Sequence, residues 1–342
     1  MTNFTRPGRL WLPEAPHLLT RGRTIEPKSE TILAGPRYEG WITVERIHAR
    51  TGDVTFRSRF KNLITDAGLI GLGATFTLYQ LTYLAVGTSN AAPTTAQTTL
   101  GGEVGRTSFD NGVARTEALG GGSTYWRQVF TRLFTEAQAN GNLAELGMFS
   151  ASTGGVMWMR QLIRDTGGVP TVITKTSADQ LRVTYEIRQY WPTADQVTVT
   201  NINGIDYTFT MRPCNVTNPL AWGPGSGTVN GMLYAFGSDT SGVYANAVDG
   251  SVLSAAAGTG IPGTQSLASS IAVAAYASPN FYRDNTFIYE PGTANYGTGI
   301  GGLSVCVSRG AQQMQVSIAP RIPKLDTQRL TLQLRSTWGR GP

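Results

Sequence analysis

Apolar and polar residues alternate with a period of two along much of this chain, the spacing of strands with one buried and one wet face. Trp41, Thr43, Glu45 and Ile47 interleave with Ile42, Val44, Arg46 and His48. Gly52-Asp53 separates that run from Val54, Phe56, Ser58 and Phe60, which predicts a hairpin with a short loop. Leu81, Tyr83, Ala85 and Gly87 alternate ahead of a Thr/Ala/Pro-rich loop, and Tyr125 to Phe134 alternates again. Leu143 to Ser150 and Val156 to Ile163 read as two strands joined through Thr153-Gly154-Gly155. Leu181, Val183, Tyr185 and Ile187 alternate with Arg182, Thr184, Glu186 and Arg188, as in an antiparallel sheet. In the second half Val197, Val199 and Ile202 turn at Asn203-Gly204 and return through Tyr207, Phe209 and Met211, the strongest short hairpin signal in the chain. Residues 222–300 read as loop-heavy, and two strands, Leu303 to Ile318 and Leu330 to Arg335, close the sequence.

Elsewhere the period of two breaks down. Asn62 to Leu72 is the best helix candidate, with Thr65 or Asp66 as N-cap, though Gly68, Gly71 and Gly73 keep it short. Residues 1–40 carry prolines at 7, 13, 16, 27 and 36, which prevent a long helix or a central strand. This arm holds Leu10, Trp11, Leu12, Leu18 and Leu19, more apolar than a solvated tail. It is read either as a docking arm that orders on a partner, or as a leader or edge strand laid over its own domain. A possible duplication links Ile173-x-Lys175, Leu181-x-Val183-x-Tyr185-x-Ile187 and Trp191 to Ile322-x-Lys324, Leu330-x-Leu332-x-Leu334 and Trp338. The expected fold is therefore all-β: an extended Pro-rich N-terminal arm (1–40), then two sequential antiparallel β-sandwich or jelly-roll-like domains, 41–191 and 192–342.

Composition agrees with strands and turns. Among 342 residues, 41 are Gly and 17 Pro, and only 15% are charged, whereas helix surfaces are usually written with Glu, Lys and Arg. The net charge of +6 is spread over scattered arginines, so no stripe for nucleic acid is expected. Cys214 and Cys306 are too few for a disulfide framework and read as free thiols of a reducing cytosol. Met1 to Trp11 has no apolar signal-peptide core and no stretch is long enough to span a membrane, so neither secretion nor membrane insertion is expected.

The usual catalytic motifs, G-x-x-x-x-G-K-[ST], H-E-x-x-H, C-x-x-C and G-x-S-x-G, are absent. With His17 and His48 alone, no histidine metal cluster is expected, and neither cofactor nor metal is expected. Glycan cleavage needs only two carboxylates across a groove. Glu103, Asp110, Glu117, Glu145, Asp206, Asp239, Asp249, Asp284 and Glu290 fall in or beside predicted loops, where solvated carboxylates also sit. Gly101-Gly102-Glu103-Val104-Gly105 lacks the strand and helix that a phosphate cradle requires. The rings between 222 and 300 could serve a binding surface or a core.

KNLITDAGLIGLG (61–73), LTYLAVGTSNAAPTTAQTTLGGEVGR (81–106) and LAELGMFSASTGGVMWMRQLI (143–163) resemble, in that order, virion structural and tail-fibre proteins of tailed bacteriophages. PRIPKLDTQRLTLQLRSTWGR also looks like the closing strand of such chains. The resemblance implies a non-enzymatic particle component, made in the host cytoplasm and assembled into the virion as a symmetric oligomer, often a homotrimer. It would contact other virion proteins at the tail or head-tail junction, and a host surface glycan or protein. In the leading reading, a short tail fibre, the arm docks through Arg6, Arg9, Leu10, Trp11, Arg21 and Arg23. Tyr234, Tyr244, Phe281, Tyr282 and Tyr289 are the host-contact candidates. The alternatives are a capsid decoration (cement) protein and a glycan-cleaving adhesin.

Overall fold

The computed structural model describes residues 35–73, 81–108, 125–190, 192, 194–213, 244–254, 261–306 and 313–341, and the backbone of strands Thr24–Ile25 and Thr31–Leu33. The first hairpin forms as the alternation predicts. Strands Arg37–His48 and Val54–Lys61 pair antiparallel, turning where Gly52 takes a φ of 78°. Asp179–Tyr190 pairs with the other side of Arg37–His48, and Tyr125–Phe134 pairs with Asp179–Tyr190. A second sheet orders Leu63–Ile64, Met157–Leu162, Glu145–Phe149, Tyr83–Gly87 and Glu103–Thr107. One hydrophobic cluster joins the two sheets, taking Ile42, Val44, Tyr185 and Ile187 from the first and Val86, Met148, Trp158 and Met159 from the second.

The second half repeats this plan. One sheet runs Arg329–Thr337, Tyr282–Tyr289, Ser270–Val273, and the other runs Gln196–Ile202, Ile205–Pro213, Gln313–Ile322, Ile300–Cys306, Tyr244–Val248, Gln265–Ser266. Phe287, Tyr289, Leu330 and Leu332 meet Phe209, Met211, Leu303 and Val316 in a second cluster. Asn203 and Gly204, with φ of 53° and 86°, make the left-handed pair that a two-residue hairpin turn requires.

Two expectations need correction. Leu303 to Ile318 is not one strand: Ile300–Cys306 and Gln313–Ile322 pair antiparallel, with Leu303 opposite Val316 and Val305 opposite Met314. The physical reason is in the sequence, since Ser308-Arg309-Gly310 interrupts the apolar alternation between them. The described residues within 222–300 are also less loop-like than expected. Tyr282–Tyr289 is an interior strand, because Asn285, Phe287 and Tyr289 alternate inward beneath a run whose Gly- and Ser-rich flanks obscured it.

Part of the N-terminal arm lies on its own fold. Thr24–Ile25 and Thr31–Leu33 add in parallel to Arg329–Thr337, and Gly339–Arg340 adds in parallel to the start of Arg37–His48. Two parallel tracks therefore pass from the second pair of sheets to the first, and Trp338 belongs to the first hydrophobic cluster. At this junction sits the helix, Asp66–Gly73, the one helix among the described residues. Thr65 is its N-cap: Oγ1 accepts from Gly68 N at 3.0 Å and donates to the carbonyl of Met157. Glycines are costly in a helix but are required by packing here. A Cβ on Gly68 would lie 2.8 Å from Trp158, and one on Gly73 would lie 2.3 Å from the Tyr276 ring. Trp338 Nε1 donates to Leu69 O at 2.8 Å and Arg283 Nη1 to Gly73 O at 2.9 Å, so the second half supplies donors to helix carbonyls.

The duplication extends beyond strand alternation. In each half a strand leads through a loop to a hairpin of the opposite sheet, then through a lysine to a strand that pairs back on the first. Leu181 lies opposite Phe134, and Leu330 opposite Tyr289. Lys175 and Lys324 are both buried. Lys175 Nζ donates to Asn140 Oδ1 at 2.8 Å and to Glu136 O at 3.4 Å. Lys324 Nζ donates to Asn295 Oδ1 at 2.9 Å, Glu290 O at 3.0 Å and Thr293 O at 2.6 Å. Ala139 and Ala294, each just before that asparagine, share the left-handed φ of 52° and 55°.

Candidate interaction surfaces

Residues 88–102 form a strap across the outer face of the sheet that holds Glu145–Phe149. Glu145 stands directly opposite Gly87 in the ladder, and a Cβ on Gly87 would be 2.5 Å from its carboxylate. Only glycine leaves that space. The carboxylate accepts from Arg160 Nε at 2.7 Å, Gly102 N at 2.9 Å, and Gly101 N and Ser89 N at 3.3 Å. Arg160 spends its other nitrogens on the strap, donating to Gln97 Oε1 at 2.9 Å and Ala91 O at 3.0 Å. Both side chains are wholly buried. Burying an ion pair gains little by itself, but here every bond either joins the pair or fastens the strap. Leu100 packs with Ala85, Phe149 and Met157 beneath it, and Asp66 N donates to Thr95 O at 2.7 Å. The amides of Gly101 and Gly102 do bind an anion, an internal one, which the glycine run alone could not reveal.

Ion pairs lie on the outer faces of both halves, among them Arg212 with Asp195 at 2.6 Å beside Val197 and Thr210. Beyond the strands Arg37–His48, Val54–Lys61 and Asp179–Tyr190, Glu39 pairs with Lys61 at 3.1 Å, Glu45 with Arg182 at 2.7 Å, and Glu186 with Arg188 at 2.6 Å and Arg59 at 3.3 Å. The Trp41 ring lies among Arg59, Lys61 and Arg188. On the corresponding sheet of the second half Arg335 grips Asp284 through two bonds of 2.8 and 2.9 Å and stacks on Tyr282. The strap, in contrast, contains no charged residue from Thr88 to Gly102. The equivalent face in the second half exposes Val197 at 62% and Val199 at 57%, opposite Thr210 and Thr208. Segment 251–254 crosses the same face, with Ser317 Oγ donating to Ser251 O at 2.5 Å and Val252 exposed.

The docking candidates Arg6, Arg9, Leu10, Trp11, Arg21 and Arg23, and His17, lie outside the described residues, as do Tyr234 and the side chain of Tyr244. Phe281 packs against the first cluster and its carbonyl accepts from Trp338 N. Tyr282 is half-covered by Arg335. Tyr289 is fully buried, donates to Ala245 O at 2.7 Å, and has a hydroxyl pKa pushed up by burial, so it is a core residue with nothing to offer a host surface. Of the three described rings, Phe281 packs against the first cluster and Tyr289 lies inside the second, so these two do not share a patch. Among the described candidate carboxylates, Glu103 pairs with Arg106, Asp206 accepts from Asn201, Asp249 accepts from Thr264 N and Glu290 faces Arg329. His48 Nδ1 caps its own turn at Thr51. Among the described residues, no group of His, Cys, Asp or Glu is placed to hold a metal ion, and no helix is long and apolar enough to cross a membrane. Sequence reasoning missed Glu145 and Arg160 as a pair. The available signal was a strand reading M-W-M-R-Q-L beside E-L-G-M-F, two charges inside otherwise apolar runs.

No protein-family model, no curated protein and no solved structure matches this chain.

Proposed function

We propose that the chain is a structural protein of a tailed-bacteriophage particle, a short tail fibre or similar appendage whose N-terminal arm docks on the particle. The observation that carries this reading is the convergence of the three resemblance motifs on one fastening. Thr65 of the first holds the carbonyl of Met157 in the third, and Gly87 of the second makes room for Glu145 of the third. Gly40 leaves the space in which Asn62 of the first motif meets the Tyr185 hydroxyl. The three motifs thus contact one another in one unit, which is compatible with a shared architecture. Two such units in series, with the chain entering beside Arg329 at the outer end of the second, suit an appendage held at one end.

Quantitative mass spectrometry of purified particles tests this reading. A tail fibre is present at a small multiple of the tail symmetry; abundance matching the capsid lattice makes the protein a cement protein instead, and absence from particles removes the reading. Residues 1–23 are the segment to delete for docking. Removing 1–40 would also strip Thr24–Ile25, Thr31–Leu33 and the start of Arg37–His48 from their sheets.

A further inference from the structure

Val54–Lys61 is an edge strand of eight residues. It pairs with Arg37–His48 on one side, and among the described residues no strand pairs with the other. Arg57, Arg59 and Lys61 stand on its outer face, opposite Glu45, Thr43 and Trp41, and all three are exposed, Arg57 with 71% of its side chain. Outward positions on a strand recur about every 6.6–6.8 Å, so the edge carries a row of like charges. The carboxylates behind the row do not neutralise it. Glu45 lies 2.7 Å from Arg182 and 3.5 Å from Arg57, and Glu186 lies 2.6 Å from Arg188 and 3.3 Å from Arg59. The inner strand Asp179–Tyr190 therefore takes the shorter contact with each, and Arg57, Arg59, Lys61, Arg182 and Arg188 share only Glu39, Glu45 and Glu186. Charge on an edge ordinarily guards against pairing with another chain. A row of one sign guards against basic and neutral strands and complements an acidic one. Strand addition is already in use in the second unit, where Thr24–Ile25 and Thr31–Leu33 extend the sheet beside Arg329–Thr337.

We infer that the Val54–Lys61 edge takes up, as an added strand, an extended segment of a partner protein with Asp or Glu at alternate positions. The backbone of such a segment continues the ladder, and its carboxylates face Arg57, Arg59 and Lys61. The segment does not come from a second copy, because none of the 22 acidic residues of this chain lies two positions from another. An acidic polysaccharide or a nucleic acid matches the charge but has no peptide groups with which to pair along the edge. This inference does not depend on where the protein resides, so it fails separately from the particle reading.

Fluorescence anisotropy of the full chain with a short labelled peptide of alternating Glu and Val tests it. Binding is expected, weakening as salt rises. Arg57→Glu combined with Arg59→Glu should lower the affinity about tenfold or more, since two attractive cross-strand pairs become repulsive. A peptide of alternating Lys and Val should then prefer this variant to the wild type, which separates a reversal of charge from a folding defect. Hydrogen exchange locates the peptide: amides within Val54–Lys61 should slow on binding while those of Asp179–Tyr190 stay as they are. Absence of binding, exchange unchanged at Val54–Lys61, or equal binding of a peptide whose Glu residues are grouped together overturns the inference. Equal binding of a polyuronic acid also overturns it, and makes the row a general surface for polyanions.

Discussion

Lys324 repeats in the second half what Lys175 does in the first: each buried ammonium donates to an asparagine Oδ1, Asn295 at 2.9 Å and Asn140 at 2.8 Å, that follows an alanine in the left-handed conformation. Oxygen acceptors take the place of a paired carboxylate, so the lysine ties the loop after one strand to the entry of the next. Replacing either by Met should cost about 1–3 kcal/mol by leaving those acceptors unanswered. Lys175 and Lys324 serve separate hydrophobic clusters, so the two losses should add. Urea unfolding of both single variants and the double variant checks this, and strong non-additivity would show that the two loops are coupled.

The Glu145–Arg160 pair predicts a different pattern. Glu145→Gln or Arg160→Met alone strands a buried charge and should destabilise by about 3–5 kcal/mol. The double change should be milder than the sum. In all three the amides of residues 88–102 should exchange hydrogen faster while those of Asp179–Tyr190 keep their protection. Uniform acceleration across both regions would mean that the pair does not act through the strap.

Trp338 couples the halves. Its ring sits in the first cluster, its indole donates to Leu69 O and its amide to Phe281 O at 3.0 Å. Trp338→Ala should cost about 3–5 kcal/mol, in the range for a buried aromatic, and split a single thermal transition into two. Calorimetry showing one transition of reduced midpoint would instead mean that other junction contacts suffice.

Acid should weaken the same junction. The Arg340 guanidinium beside Asp66 holds its carboxyl below the usual aspartate range, and Arg212 does the same for Asp195. A carboxyl whose pKa is lowered by folding contributes stability fully above its unfolded value, about 3.9, and loses it as pH falls through the lower folded value. Asp66→Asn should therefore be less stable than wild type near neutrality and lose less stability on acidification below about pH 4. Parallel pH profiles for the two proteins would remove Asp66 from the account.

Most strands were legible because alternation reports directly on a face turned to a core, as in Leu181 to Ile187 and in Tyr207 to Met211 around Asn203-Gly204. The helix start was legible through Thr65, but its glycines spoke against it, since the reasons for them, Trp158 and Tyr276, lie far away in sequence. Tyr282–Tyr289 was hidden because its outward positions carry Asp284 and Thr286 within a Gly- and Ser-rich region. Parallel additions at Thr24–Ile25, Thr31–Leu33 and Gly339–Arg340 involve short segments with no period to read. The strap's fastening and the ion pairs of the outer faces depend on pairing register, which brings Arg57, Arg59 and Lys61 together with Arg182 and Arg188 across the sheet.

The central claim is best tested by cryo-electron microscopy of intact particles with this chain traced in density. The account predicts a few symmetric copies at the tail, the end near Thr24 and Lys324 toward the particle and the loop at Lys175 outward. Density tiling the capsid lattice, or copies at the tail with the end near Thr24 and Lys324 pointing outward, would contradict it.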